Sequence, residues 1–324
     1  MTKFTKIAAC LAIAGAAFTA VPAAAEEWPT RSVRMLVGFG PGGGTDLVAR
    51  AVAEGLSDVL GQRFYVENRP GAGGSLAADS VAKGPKDGYT ALMVSGGHTV
   101  TAVMIKALGH APVKDFEPVG MVANSAFVIV APKQFEASDV PALIALAKKE
   151  PKKLNVGTVG VGSTPHFASA VFSQMAGIEV SHIPYKITSE TITALRRNEL
   201  SYAFELAHAV AGQVQAGELK LLATAGAKRW PSLPNVPTIA ESGVPGYDVV
   251  AWYGLLFAAG TPKTIIDKAH GALKKVLERD DVRKQLENVG AVINLTSPAE
   301  LRKHMEDEVA RWRDVAKKAN LEPR

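Results

Sequence analysis

The chain has a single cysteine, Cys10, in 324 residues. That cysteine falls inside an export signal: Lys3 and Lys6, an apolar run across residues 7–21, then Ala23, Ala24 and Ala25 as a small-residue cleavage site. The apolar run follows Cys10 rather than preceding it, which is the wrong order for a lipoprotein anchor. With residues 1–25 removed the mature chain carries no thiol, so a disulfide framework and cysteine chemistry are both excluded. No GxSxG elbow, HExxH helix or Walker lysine occurs, which argues against the common hydrolase and nucleotide-hydrolase plans. The seven histidines show no metal-ligand spacing, so neither a metal nor a cofactor is expected. Beyond the signal there is no apolar run long enough to span a bilayer, and no basic block. Dropping Lys3 and Lys6 from 36 basic residues leaves 34 against 31 acidic ones, a charge of +3 spread along the chain, which excludes a nucleic-acid partner. These readings predict a soluble exported protein, periplasmic in a double-membraned bacterium.

What the sequence does have is glycine at strand ends. Val33, Met35, Leu36 and Val37 read as a buried strand, and Gly38, Gly40, Gly42, Gly43 and Gly44 follow, ahead of a helix carrying Leu47, Val48, Ala51, Val52, Leu56 and Leu60. Such a turn lets the backbone approach a ligand closely. Thr45 or Asp46 is expected to cap the helix, whose free N–H groups suit an anion. Residues 64–66 predict a second strand, residues 71–75 another glycine loop, and residues 89–94 a third strand ending in Ser95, Gly96, Gly97 and His98. This βαβαβ order implies a parallel sheet with its loops gathered at the carboxyl edge. A second strand, glycine turn and helix unit runs through residues 154–176 and includes Gly160, Gly162, Ser163, Thr164 and His166. His98, His166 and His182 sit at predicted strand or loop ends and are candidate ligand contacts.

One competing reading comes from Gly38, Gly40 and Gly43, which match GxGxxG, with Glu67 near the place of a ribose-binding acid. It would make the protein an exported nucleotide-dependent oxidoreductase. Pro41 inside the turn, and export away from soluble nicotinamide pools, count against it.

The chain resembles the Bug-type receptors of tripartite tricarboxylate transporters. The resemblance rests on Trp28-Pro29, residues 42–46, 67–74, 87–90, 116–119, 160–166, 182–186, 233–238 and 252–255. It implies an α/β, two-lobed periplasmic binding protein of the type II-like, Venus-flytrap kind, with parallel-rich sheets flanked by helices and no enzymatic activity. The lobes are expected at 26–125 with 225–324, and at the inserted 126–224. The implied ligand is a small organic acid held in the interlobe cleft, and the implied partner of the monomeric receptor an integral-membrane permease or, alternatively, a signalling protein. Carried over, Gly43, Gly44, Thr45, Asp46, Ser95, Gly96 and His98 form one wall of the cleft. Gly162, Ser163, Thr164, His166, Tyr185 and Glu205 form the other. Two departures from the family pattern bear on that second wall: Ile187, Thr188 and Ser189 where glycine usually follows the Pro-Tyr-Lys, and Arg196, Arg197, Asn198, Glu199 and Ser201 in place of a glycine turn and aspartate.

Overall fold

A computed structural model describes residues 27–159 and 163–318. The signal segment and Gly160, Val161 and Gly162 lie outside the described residues. The chain runs through β1 (Val33–Val37), α1 (Gly44–Leu60), β2 (Phe64–Asn68), a 3-10 turn at Ala72–Gly74 leading into α2 (Ser75–Ala82), β3 (Thr90–Ser95), α3 (Gly97–Met104) and β4 (Phe116–Ser125). After a single residue, Ala126, come β5 (Phe127–Pro132), α4 (Val140–Lys149), β6 (Asn155–Val159), α5 (Thr164–Ala176), β7 (Ser181–Tyr185), α6 (Thr188–Arg196), β8 (Tyr202–Leu206), α7 (Ala207–Gln215) and β9 (Leu219–Thr224). The chain then returns through β10 (Ala251–Ala258), α8 (Lys263–Leu277), α9 (Asp280–Asn288), β11 (Ala291–Ile293) and α10 (Pro298–Lys318).

Two sheets result, ordered β11-β4-β10-β3-β1-β2 and β7-β6-β8-β5-β9, so the fold is α/β and two-lobed. Both sheets are mixed. The parallel part of each is a three-strand group, β2-β1-β3 and β7-β6-β8, and the remaining strands join antiparallel. The expected βαβαβ order holds for those groups. The returning strand β10, the β11–β4 pair and the pairing of β5 with the sequence-distant β8 and β9 account for the antiparallel remainder.

Packing explains why the segments hold together. The apolar stripe of α1 (Val48, Ala49, Val52, Leu56) meets Leu273 and Val276 of α8 above β1, in one buried cluster. The second sheet packs Phe172, Tyr202, Phe204 and Tyr247 in a ring-on-ring core. That core also takes Ile239, Val244 and Val249 from the proline-rich segment after β9, and Trp312, Val315 and Ala316 from the end of α10. Thus part of 225–324, expected with the first lobe, packs against the second sheet.

Candidate functional site

In each parallel group the central strand is followed by a helix that starts at the carboxyl edge, and both groups have the same order. β1–α1 therefore occupies in the first sheet the place β6–α5 occupies in the second, and β3–α3 corresponds to β8–α7. Ligands of open α/β sheets bind at such edges, where strand order reverses and helix N–H groups are free.

At the β1–α1 turn the left-handed residue is Gly42, at φ +80°, and Gly43 stands at the N-cap position without a side-chain cap. Asp46 is not the helix cap expected for it. Its buried carboxylate reaches back over the turn and accepts from the Gly42 N–H at 2.9 Å, Arg50 Nε at 2.9 Å and Asn68 Nδ2 at 2.8 Å. Burial disfavours the charge, but these hydrogen bonds outweigh it and hold the carboxyl below its usual pKa. Asn68 Nδ2 also donates to Phe39 O at 3.0 Å, so the strand after the turn is tied to it. Thr45 is buried in the first turn of α1. Asp46→Ala removes three donors' shared acceptor and is expected to cost about 3 kcal/mol, read as a lowered urea midpoint.

The dinucleotide reading fails on these contacts. A Cβ on Gly38 would lie 2.4 Å from Gly74 Cα, so glycine is needed there for loop-to-loop packing. A Cβ on Gly40 would meet nothing within 4 Å. Glu67 is occupied by Arg34 at 3.4 Å.

At the β3–α3 edge, Ser95 and Gly96 lead straight into a helix where a loop was expected. His98 is consequently in the first turn of α3 and buried. Its Nε2 lies 2.8 Å from Pro112 O, and its ring stacks on His110 at 5.6 Å and meets Phe116 edge-on at 4.9 Å. Burial, reinforced by His110, pushes it down to about 4, so it is a neutral packing residue of the first lobe. Thr99 Oγ1 lies 2.7 Å from Glu308 Oε2 and 3.2 Å from Trp312 Nε1, which anchors α3 to α10.

On the second sheet Ser163 caps α5, its Oγ accepting from the His166 N–H at 3.3 Å. His166 is buried with its ring edge-on to His182 at 5.1 Å, and His182 Nε2 is 2.9 Å from Ser169 Oγ. Tyr185 ends β7, half-buried, and Glu205 sits near the end of β8, buried. Gly162 lies outside the described residues.

Among the described residues the two edges approach each other at Gly96 and at Gly44. A Cβ on Gly96 would stand 3.4 Å from Thr164 Oγ1, pairing the β3–α3 turn with the start of α5. A Cβ on Gly44 would stand 3.0 Å from Leu206 Cδ1 and 2.5 Å from Tyr253 Oη, pairing the start of α1 with the β8–α7 junction. Sequence patterning singles out neither Leu206 nor Tyr253. Tyr253 lies in the apolar segment of β10, where alternation marks packing and nothing marks a site.

Of the two departures, the first lies beside this edge. Ile187 is 54% exposed immediately before α6. The second lies at the opposite end of the sheet. Asn198 takes the left-handed conformation at φ +58°, a role asparagine can fill for glycine, and it lines a polar depression of about 360 Å³ with Gln134, Asn155, Glu199 and Ser201. That replacement therefore leaves the turn edge untouched.

Comparison with known proteins agrees with the two-lobed fold. The family model described as "Tripartite tricarboxylate transporter family receptor" matches residues 48–321. Protein BugT of Bordetella pertussis is 32% identical over 301 residues, covering 92% of each chain. Among solved structures, Rhodopseudomonas palustris Rpa4515 with adipate is 36% identical, with a TM-score of 0.84 over 92% of this chain and 100% of that one. MatC from the same species, with bound malate, is 32% identical, with a TM-score of 0.81 over 89% of this chain and 99% of that one. On this footing the chain belongs to the receptor family of tripartite tricarboxylate transporters, whose members are substrate-binding receptors rather than enzymes.

Proposed function

We propose that the protein captures a small carboxylate in a cleft between its lobes and delivers it to a membrane permease. The lobes are 26–125 with most of 225–324, and 126–224. Residues 1–25 direct export to the periplasm and are removed, and the receptor acts as a monomer. Gly43, Gly44, Thr45, Ser95 and Gly96 line one wall; Ser163, Thr164, Tyr185 and Glu205 line the other. His98 and Asp46 act behind the first wall, in packing and in holding the turn.

The observation that carries this reading is the opposition of helix starts, α1 to the β8–α7 junction and α3 to α5. One helix start contributes about 0.3–2 kcal/mol to a bound anion and a charge-assisted hydrogen bond about 1.5–3, while micromolar binding requires about 8 kcal/mol. A single turn is insufficient and two opposed walls suffice. Relatives that hold adipate and malate support the choice of a carboxylate.

A thermal-shift screen of mono-, di- and tricarboxylates tests it. A ligand at 100 times its Kd adds about 2.7 kcal/mol, which raises Tm by roughly 5 °C for a chain of this size. No shift with any carboxylate at millimolar concentration refutes the reading. Gly96→Val, which wedges a branched side chain between Trp252 Nε1 (3.1 Å from the new Cβ) and Thr164, is expected to weaken binding at least tenfold while the unliganded protein stays folded. Calorimetry and circular dichroism measure the two halves of that statement. Delivery is tested by uptake of labelled ligand in cells with and without the receptor.

A further inference from the structure

β10 carries a single hydroxyl, and it lies in a column that is otherwise apolar. The side chains alternate, so Tyr253, Leu255 and Phe257 face α1 and α8 in one buried cluster while Trp252, Leu256 and Ala258 pack on the opposite face. Of those three, Tyr253 is nearest the carboxyl edge, where it pairs in register with Ser95, the last residue of β3. A phenyl ring would fill the column as well as a phenol does. Packing therefore accounts for the ring of Tyr253 but not for its Oη.

That Oη reaches the β1–α1 turn. A Cβ on Gly44 would stand 2.5 Å from it and 3.0 Å from Leu206 Cδ1, so the hydroxyl of the first lobe and a side chain of the second meet at the first residue of α1. Among the described residues the hydrogen-bonding neighbour of Tyr253 Oη is Ser125 on β4. Ser125 is 1% exposed and pairs in register with Ala251, two residues from Tyr253, which makes the two hydroxyls diagonal neighbours across β4 and β10. Ser125 Oγ nevertheless closes no hydrogen bond, to Tyr253 or to any other described group. Burial pushes the phenol up to about 12, against the smaller pull of Ser125, so Oη keeps its proton and can donate it. Buried hydroxyls left unpaired in this way carry a cost that an acceptor brought by a ligand would remove.

We infer that Tyr253 is a ligand-binding residue, its Oη donating a hydrogen bond to a carboxylate oxygen held at the start of α1, and that Ser125 positions it by donating in turn to Oη. This rests on the reading that the β1–α1 turn binds a carboxylate. The free N–H groups of α1 hold the anion from the helix side, and the phenol adds a charge-assisted donor from the sheet side. Once the ligand draws the phenol proton outward, a lone pair of Oη is left for the Ser125 hydroxyl, and the two bonds polarise each other. Gly44 fits the same arrangement, because any side chain there would occupy the place of Oη.

Calorimetry with adipate, malate and citrate on the wild type, Tyr253→Phe, Ser125→Ala and the double variant tests the assignment. Tyr253→Phe removes a hydrogen bond to a charged group, so the acid that the wild type holds most tightly is expected to bind about tenfold to a hundredfold more weakly. The Tm of the unliganded variant is expected to equal or exceed that of the wild type, because in the empty protein the hydroxyl has no bond to lose. Ser125→Ala is expected to weaken binding about threefold by itself and no further in the Tyr253→Phe background, a coupling that a packing role for Ser125 would not produce. Unchanged affinity in Tyr253→Phe, a loss of affinity accompanied by a lower unliganded Tm, or failure of that variant to fold overturns the role of Tyr253. Additive losses in the double variant overturn the role of Ser125 alone. A wild type that binds none of the three acids at millimolar concentration overturns carboxylate capture itself, and the assignment of Tyr253 with it.

Discussion

Alanine at position 38 is expected to destabilise the protein by about 3 kcal/mol, the upper end of the usual cost of overpacking, whereas alanine at position 40 changes stability by about 0.5 kcal/mol or less. The contrast follows from what each new methyl group meets. At Gly38 it would stand 2.4 Å from Gly74 Cα and 2.8 Å from Gly74 O, backbone atoms that cannot rotate away. Relief requires the β1–α1 turn and the 71–75 loop to separate. At Gly40 the methyl group points into open space, and the backbone there is not left-handed. A dinucleotide fingerprint predicts a different ranking, because its second glycine is the one a pyrophosphate approaches. Urea midpoints of the two variants separate the two possibilities. Equal losses at 38 and 40 would contradict a packing role for Gly38.

Gly38 also marks where sequence reading stops. Spacing located the glycines at a strand-to-helix turn, but the partner of Gly38 is a loop 36 positions on, and only the fold brings Gly74 to it. Elements with local punctuation were the legible ones. Asp139 accepts from the Ala142 N–H and has a proline following in the first turn, which fixes the start of α4. Ser297 and Glu300 cap each other's backbone at the head of α10. By contrast α3 begins in Gly96 and Gly97 without a side-chain cap and is held by Glu308 and Trp312, more than 200 positions away. β4, with Pro118 and Gly120 inside it, is strand because β10 and β11 flank it. The same limit applies to the site. The glycine turns could be read locally, while their facing residues, Leu206 and Tyr253, are defined only by how the two sheets meet. Asp46 reads as a cap or a contact because nothing local announces that Asn68, 22 positions on, shares its carboxylate.

Unfolding free energy is expected to fall by as much as about 5 kcal/mol as pH rises from 4.5 to 8, through Glu205. Folded, this acid keeps its proton to about pH 8; unfolded, it releases it above its ordinary value of 4.5. Between those limits the folded state binds more protons, so each added pH unit favours the unfolded chain by about 1.36 kcal/mol, over roughly 3.5 units. Stability from this group is therefore complete below pH 4.5 and lost by pH 8. His98 acts on the opposite flank. Buried and neutral down to about pH 4 against an ordinary 6.5, it costs about 3 kcal/mol as pH falls through that interval, because only the unfolded state takes up the proton. From 4.5 to 6.5 the two slopes oppose each other. Above 6.5 the decline comes from acids that burial raises, Glu205 and with it Glu308, and the part lost in Glu205→Gln is the signature of Glu205. Urea titrations at pH 5, 6.5, 8 and 9 on the wild type and Glu205→Gln isolate it. The wild type loses more stability between pH 6.5 and 8 than the variant does, since an amide has no proton to release. A wild-type curve that stays level over that interval shows an ionised Glu205 at neutral pH.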